Sequence, residues 1–155
     1  MYLGGIGGTG KTWVIKALIS MFDHRQGNHR FIVLAPTVTA AALLNGSTYH
    51  SILGIQLFKD NDRGESLRNE NSVIKEVQEC LEGVDYIFMD KISMIACHEL
   101  YCISSQLLKV TKKHNKPFGG KNIILAGDFA QLPPTDGFPL YSNTVLKCQQ
   151  NSMSK

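Results

Sequence analysis

Apolar residues in this chain fall into short solid blocks set between longer stretches with helical spacing. Residues 30–35 (RFIVLA), 84–89 (VDYIFM) and 122–126 (NIILA) are such blocks, each bounded by polar or turn residues. Short apolar runs of this kind are expected of parallel strands covered on both faces. The intervening stretches repeat at helical period. Lys11 to Phe22 places Val14, Ala17, Leu18, Met21 and Phe22 on one face. Asn71 to Glu82 does the same with Ile74, Val77 and Leu81, and Gly83 supplies a C-terminal cap. Ser93 to His114 carries Leu100, Ile103, Leu107 and Val110, and its last turns hold Lys109, Lys112 and Lys113, which suit the negative end of a helix dipole. Lys59 to Asn71 is charged and aperiodic and reads as a loop. From Thr135 onward the chain is polar with weak periodicity, and loose order is expected there. Strands alternating with helices imply βαβ units, right-handed crossovers and a parallel sheet with flanking helices, an α/β fold.

Composition narrows this picture a little. At 155 residues the chain has room for one ordinary domain, and 43% hydrophobic residues are enough for a packed core. There is no apolar run of the ~20 residues a membrane span requires. The start, Met1-Tyr2-Leu3-Gly4-Gly5, has no basic region leading into an apolar stretch, so no signal peptide is read. A net charge of +3 permits a nucleic-acid partner without arguing for one. Cys80, Cys97, Cys102 and Cys148 form no CxxC pair, and Cys97-His98 with Cys102 matches zinc spacing poorly. Reduced thiols in an intracellular protein are the expectation.

Gly5-Ile6-Gly7-Gly8-Thr9-Gly10-Lys11-Thr12 satisfies G-x-x-x-x-G-K-[ST] at every fixed position. Gly5, Gly7, Gly8 and Gly10, with Thr9 among them, let the backbone curl so that successive N–H groups face phosphate oxygens. The helix opening at Lys11 adds its positive end. The Lys11 ammonium can reach the β- and γ-phosphates of ATP, and the Thr12 hydroxyl can ligate Mg2+. Only Met1, Tyr2 and Leu3 remain of the strand that leads into such a loop.

A site of this kind needs a carboxylate at a strand end to hold the metal shell. Asp90, after the apolar run 86–89, fits; Asp85, at the start of that strand, is a weaker rival. The next residue is Lys91, where many hydrolytic relatives of this loop have a glutamate that activates water. A charged ammonium cannot accept a proton, and losing a positioned base costs on the order of 10²–10⁴ in rate. A positive charge there can still hold the γ-phosphate. After the strand 122–126 comes Gly127-Asp128-Phe129-Ala130-Gln131-Leu132-Pro133-Pro134. Its strand-end Gly127-Asp128 followed by Gln131 is placed to sense the γ-phosphate or orient water, and the prolines stiffen the exit.

Together these segments resemble the Pif-type family of superfamily-one DNA helicases, including their Helitron-transposon relatives. The loop GGIGGTGKT is similar to the family's first motif. Ala35-Pro36-Thr37-Val38-Thr39-Ala40-Ala41 with Gly46-Ser47-Thr48-Tyr49-His50-Ser51 resembles its APTGxAA…GxTxHS stretch, Asp90-Lys91-Ile92-Ser93-Met94 its DEISM, and Phe118-Gly119-Gly120-Lys121 leading into GDFAQLPP its third motif. The match in order and spacing runs from Gly4 to about Pro134.

The resemblance implies a RecA-like P-loop NTPase domain, truncated at both ends, over residues 1–134, with 135–155 a polar tail or the start of a following segment. It implies 5'-to-3' translocation on single-stranded DNA driven by ATP and Mg2+, in DNA repair, recombination and telomere or mitochondrial DNA maintenance, and a nuclear or mitochondrial location. Carried over by position, Lys11, Thr12, Asp90 and Gln131 handle nucleotide and metal, the last two with Lys11 as catalytic residues. Pro36, Thr37, Thr48 and His50 lie along the DNA path, where hydroxyls and backbone N–H groups bind phosphates without reading sequence.

Departures from the family pattern set up a second reading. Val38 stands where the family has glycine, and Lys91 where it has the catalytic glutamate. The segment carrying the adenine-contacting glutamine and the second RecA-like domain with its arginine finger are absent. A catalytically weak nucleotide-binding remnant or binding module is therefore an alternative to an active motor. A small P-loop kinase is a third possibility, but it gives GDFAQLPP no role and has only residues 59–71 for a lid. The lysines Lys109, Lys112, Lys113, Lys116 and Lys121 read as a solvated helix end rather than a DNA contact.

Overall fold

The computed structural model describes residues 1–55 and 66–142, with backbone alone for 66–71. Five strands, β1 (Tyr2–Leu3), β2 (Phe31–Ala35), β3 (Ser47–Thr48), β4 (Tyr86–Met89) and β5 (Asn122–Ala126), form one sheet in the order β1-β5-β4-β2-β3. Every pairing is parallel. The helices are α1 (Lys11–His24), α2 (Val38–Ala42), α3 (Tyr49–Leu53), α4 (Ser66–Cys80) and α5 (Cys97–Thr111). None in the described residues is long and apolar enough to cross a membrane.

The period of two along each strand sorts the core into two layers. Ile32 and Leu34, Ile87 and Met89, and Ile123 and Leu125 join Tyr49, Leu53, Val77, Ile103, Leu107 and Val110 from α3, α4 and α5. The alternate residues Phe31, Val33, Phe88, Ile124 and Ala126 meet α1 through Ile15, Leu18, Ile19 and Phe22. Phe22 lies at the centre of an aromatic group, with ring centroids 5.2 Å from Phe31, 5.2 Å from Tyr86 and 6.3 Å from Phe88.

Several expectations need correction. The apolar face of α1 is rotated from the one read above: Val14, Ala17 and Met21 are exposed, and Ile15 is fully buried. Ile15, Leu18, Ile19 and Phe22 follow the i, i+3, i+4, i+7 rule, and the sheet selects that stripe. Residues 66–71, expected within a loop, are helical, so α4 starts well before Asn71; the rest of that loop, 59–65, lies outside the described residues. The long helix expected from Ser93 to His114 is a 3-10 turn (Ile92–Met94) followed by α5, which stops at Thr111 with Lys112 in the left-handed region. Residues 135–142 are not loose. Cys97 N donates to Phe138 O at 2.9 Å, Ala96 bridges Pro139, and the Tyr141 ring meets Phe129 at 5.4 Å. Residues 143–155, Cys148 among them, lie outside the described part. Lys121 is not a solvated helix-end lysine: its Nζ donates to the carbonyls of Leu81 and Val84, and burial pushes its ammonium below the usual lysine value.

Asp85, the weaker metal-ligand candidate, is engaged elsewhere. It pairs with Arg30 at 2.6 Å, with the two side chains 51% and 46% exposed for Arg30 and Asp85 respectively. A pair this wet contributes about 0–1 kcal/mol. Arg30→Ala is expected to lower the unfolding free energy obtained from urea melts by no more than that contribution; a larger loss would mean that the pair organises the start of β2 and β4.

Candidate nucleotide site and nucleic-acid face

Because all five strands are parallel, their carboxyl ends share one edge, where open α/β sheets bind ligands. Beyond β1 lies the glycine loop, beyond β4 Asp90, beyond β5 Asp128, beyond β2 Pro36-Thr37 and beyond β3 Tyr49-His50. The strand order puts β1, β5 and β4 side by side, with β2 and β3 continuing the same edge. The edge therefore has two zones.

The first zone centres on the loop. Gly8 (φ 82) and Gly10 (φ 86) adopt left-handed backbone, and a Cβ built on either meets nothing within 4 Å. Both glycines thus face open space on their Cβ side, and their left-handed backbone gives the curl an anion cradle requires. Gly10 caps α1 without any side-chain bond, so the first helical amides have no side-chain partner at that end. Lys11 Nζ donates to Gly5 O at 2.7 Å and Ile6 O at 2.8 Å, and Thr9 Oγ1 donates to Ile6 O at 2.8 Å. The ammonium braces the loop from within and lies where phosphates would enter. Thr12, in the first turn of α1, is half-buried.

Carboxylates and an amide close this zone. Asp90 is 4% exposed, and its Oδ1 accepts from Lys91 N at 2.8 Å. Asp128 is 7% exposed, with Oδ1 accepting from Ala130 N at 3.0 Å. Gln131 Nε2 would come within 2.9 Å of a Cβ on Gly7, and Asp128 Oδ2 within 4.0 Å. Lys91 Nζ reaches Gln131 Oε1 at 3.4 Å. The Gln131 amide thus spans from the loop to Lys91. A cleft of about 500 Å³ opens alongside, lined by Lys91, Ser93, Met94, Gln131, Leu132 and Pro133. Ser93 Oγ is buried there without a hydrogen-bond partner.

Lys11 and Gly7 share one loop, Gln131 approaches Gly7, and Asp90 follows the strand next to the one that leads to Gln131. Asp128 enters the sequence reading only through the Gly-Asp pattern ahead of Gln131, and its Oδ2 lies 4.0 Å from a Cβ built on Gly7, farther than Gln131 Nε2 at 2.9 Å. Its signal was a second buried strand-end aspartate, the counterpart of Asp90. Thr12 and Asp90 remain the oxygen donors suited to a hard cation, and Asp128 is a second carboxylate nearby.

The second zone holds Pro36, Thr37, Thr48 and His50. Register pairs Ala35 with Thr48, so Pro36-Thr37 and Thr48-Tyr49 leave the sheet side by side. Both threonines are helix caps. Thr37 Oγ1 accepts from Ala40 N at 3.2 Å and lies 3.2 Å from Thr39 Oγ1, and Thr48 Oγ1 accepts from Ser51 N at 3.3 Å. A threonine hydroxyl keeps one donor while it accepts, so capping leaves the Thr48 hydroxyl hydrogen available, and the Thr37 and Thr39 hydroxyls share one hydrogen bond between them. His50 differs: its ring stacks on Tyr49 at 4.0 Å, and its Nε2 is buried without a partner, turned away from solvent. Val38, in the family's glycine position, is 74% exposed at the mouth of α2.

Known proteins are similar to this chain over most of its length. The Pif1 ATP-dependent DNA helicase of Bdellovibrio bacteriovorus is 32% identical over 134 residues, covering 86% of this chain but 29% of that protein. The structure of Bacteroides Pif1 bound to ssDNA superposes with a TM-score of 0.67 at 27% identity, over 97% of this chain and 32% of that one. The Bacteroides sp Pif1 complex with ADP-AlF4 gives a TM-score of 0.65 at 31% identity, over 95% and 31%. This chain therefore spans about a third or less of the length of these relatives. Residues 1–154 match the sequence profile described as PIF1-like helicase, and with the loop, the strand-end carboxylates and Gln131 gathered on one edge, the chain belongs to the PIF1-like helicase family.

Proposed function

We propose that this chain is the first RecA-like domain of an ATP-dependent 5'-to-3' DNA helicase, binding ATP with Mg2+ in the first zone and single-stranded DNA along the second. The observation that carries this reading is the meeting of Gly7, Gln131 and Asp128 beside a glycine loop braced by Lys11. Gly5, Gly7, Gly8, Thr9 and Gly10 wrap the phosphates, Lys11 neutralises the β- and γ-oxygens, and Gln131 faces the terminal phosphate. Thr12 and Asp90 hold the magnesium shell; the ion, when bound, offsets phosphate charge. Pro36, Thr37 and Thr48 present phosphate contacts to the strand, and His50 contributes through its stacked ring rather than through Nε2. The ADP-AlF4 and ssDNA complexes of the Bacteroides relatives support both partners. Work in DNA repair, recombination and telomere maintenance, in the nucleus or mitochondrion, belongs to the same proposal; the location of a tagged chain in cells tests it.

Lys91 favours slow hydrolysis. Its ammonium lies 3.4 Å from the acceptor oxygen of Gln131, so the position offers a cation beside that amide and no base to activate water. This supports the second reading, a nucleotide-holding module with weak turnover. Mg2+-dependent nucleotide titration and ATP turnover with single-stranded DNA separate the possibilities. Saturable binding with turnover near background is expected, and strong DNA-stimulated turnover by the chain alone would overturn the slow-hydrolysis reading. Lys91→Glu is expected to raise turnover less than about tenfold, because an arginine finger worth roughly 10³–10⁵ comes from the second domain in this scheme. A rescue much beyond tenfold would contradict that division of labour.

A further inference from the structure

Tyr49 is the most buried large side chain of the second zone, at 1% exposure, yet it carries a hydroxyl. A buried hydroxyl requires a partner, and here the partner comes from another element. Tyr49 OH donates to Glu99 Oε1 at 2.5 Å, and Glu99 Oε2 accepts from Ala96 N at 2.7 Å. Glu99 sits in the first turn of α5, where a carboxylate also suits the helix dipole. One carboxylate thus ties the start of α5, which follows β4 and Asp90, to the start of α3, which follows β3. Burial, followed by the carboxylate, pushes the Tyr49 phenol well above its usual value.

On its other side Tyr49 is flanked by both second-zone residues of its segment. Thr48 caps α3 through Ser51 N, and the His50 ring lies against the Tyr49 ring. Helix α3 runs only from Tyr49 to Leu53, ending at left-handed Gly54. A helix this short has little stability of its own, so its orientation depends on tertiary ties. We propose that Glu99 is a positioning residue for the strand-binding face: by clamping the Tyr49 hydroxyl, it fixes Thr48 and His50 in the orientation that receives single-stranded DNA. This inference rests on the nucleic-acid reading of the second zone. Glu99 touches no nucleotide or strand itself and acts through Tyr49.

The test uses the full chain, a fluorescein-labelled oligo-dT and amide hydrogen exchange. Tyr49→Phe removes the hydroxyl and keeps the ring, and Glu99→Ala removes the clamp. Glu99→Gln keeps both bonds possible, with its amide oxygen accepting from Ala96 N and its amide nitrogen donating to the phenol oxygen. Tyr49→Phe and Glu99→Ala are each expected to weaken oligo-dT binding about tenfold or more, as loss of a hydrogen bond to a charged group implies. Glu99→Gln should stay within about threefold of wild type, and all three should bind ATP as wild type does. The amides of Ser51 and Ile55, bonded to Thr48 Oγ1 and His50 O, should exchange faster in Tyr49→Phe and Glu99→Ala and recover in Glu99→Gln. Unchanged oligo-dT affinity in both disruptive variants, or unchanged exchange, overturns the proposal. If wild type binds no oligo-dT, the nucleic-acid reading fails and this proposal with it. The exchange result then still tells whether Glu99 holds α3, which keeps the two failures distinguishable.

Discussion

Replacing Lys11 with alanine is expected to raise the dissociation constant for Mg2+-ATP by about 30- to 1000-fold while leaving the fold intact. The effect has two parts. In the proposed complex the ammonium meets the phosphate tail directly, and in the chain itself it braces the loop by donating to Gly5 O and Ile6 O. Hydrogen bonds to a charged group are worth about 1.5–3 kcal/mol each. Losing one such contact with phosphate, together with part of the brace, gives about 2–4 kcal/mol, which is the stated range. The fold is spared because the loop is mostly solvent-exposed and Lys11 is outside both hydrophobic layers. Isothermal titration with and without magnesium, beside a circular-dichroism melt, reads both quantities. Wild-type affinity in Lys11→Ala would mean that nucleotide, if bound at all, is bound elsewhere. Lys11→Arg should not rescue, because a planar guanidinium cannot aim one cationic centre at two converging carbonyls and a phosphate at once.

Which features could be read from the sequence follows from how local their causes are. Strand β5 could be read to the residue, and β2 and β4 to within one or two, because a short apolar block between polar residues carries its own signal. The glycine loop and Asp90 were legible for the same reason: each is defined by neighbours in the chain. Helices α2 and α3 were missed because five residues contain barely a turn, and Thr37 and Thr48 look like ordinary turn residues until the caps they form are seen. The face of α1 was misread because Val14, Ala17 and Met21 border the true stripe, and only the sheet decides which residues go inside. Contacts between distant parts had no local trace at all. The Lys91–Gln131 bond, the Tyr49–Glu99 clamp and the docking of Phe138 on Cys97 at the start of α5 each join segments tens of positions apart. Lys121 looked like one more surface lysine because nothing nearby in the chain shows that two carbonyls after α4 await it.

Phe88→Ala is expected to cost about 3–5 kcal/mol of folding free energy, the usual range for emptying a buried phenylalanine site. Phe88 is fully buried on β4, two residues before Asp90, and its ring meets Phe22 at 6.3 Å and Phe31 at 5.7 Å. Through Phe22 it supports α1, the helix that begins at Lys11. The loss is large against the roughly 5–15 kcal/mol total of a typical domain, so much of the variant should be unfolded well below the wild-type midpoint. Phe88→Leu fills more of the space and should cost noticeably less. Nucleotide separates this defect from a damaged site, because a ligand that binds only the folded form adds RT ln(1 + [L]/Kd) to stability. Saturating Mg2+-ATP should therefore raise the melting midpoint of Phe88→Ala nearly as much as that of wild type. Lys11→Ala should show the reverse pattern, a near-wild-type midpoint without ligand and almost no shift with it. If Phe88→Ala gains nothing from nucleotide, then the layer beneath α1 shapes the phosphate loop itself and does not simply support it.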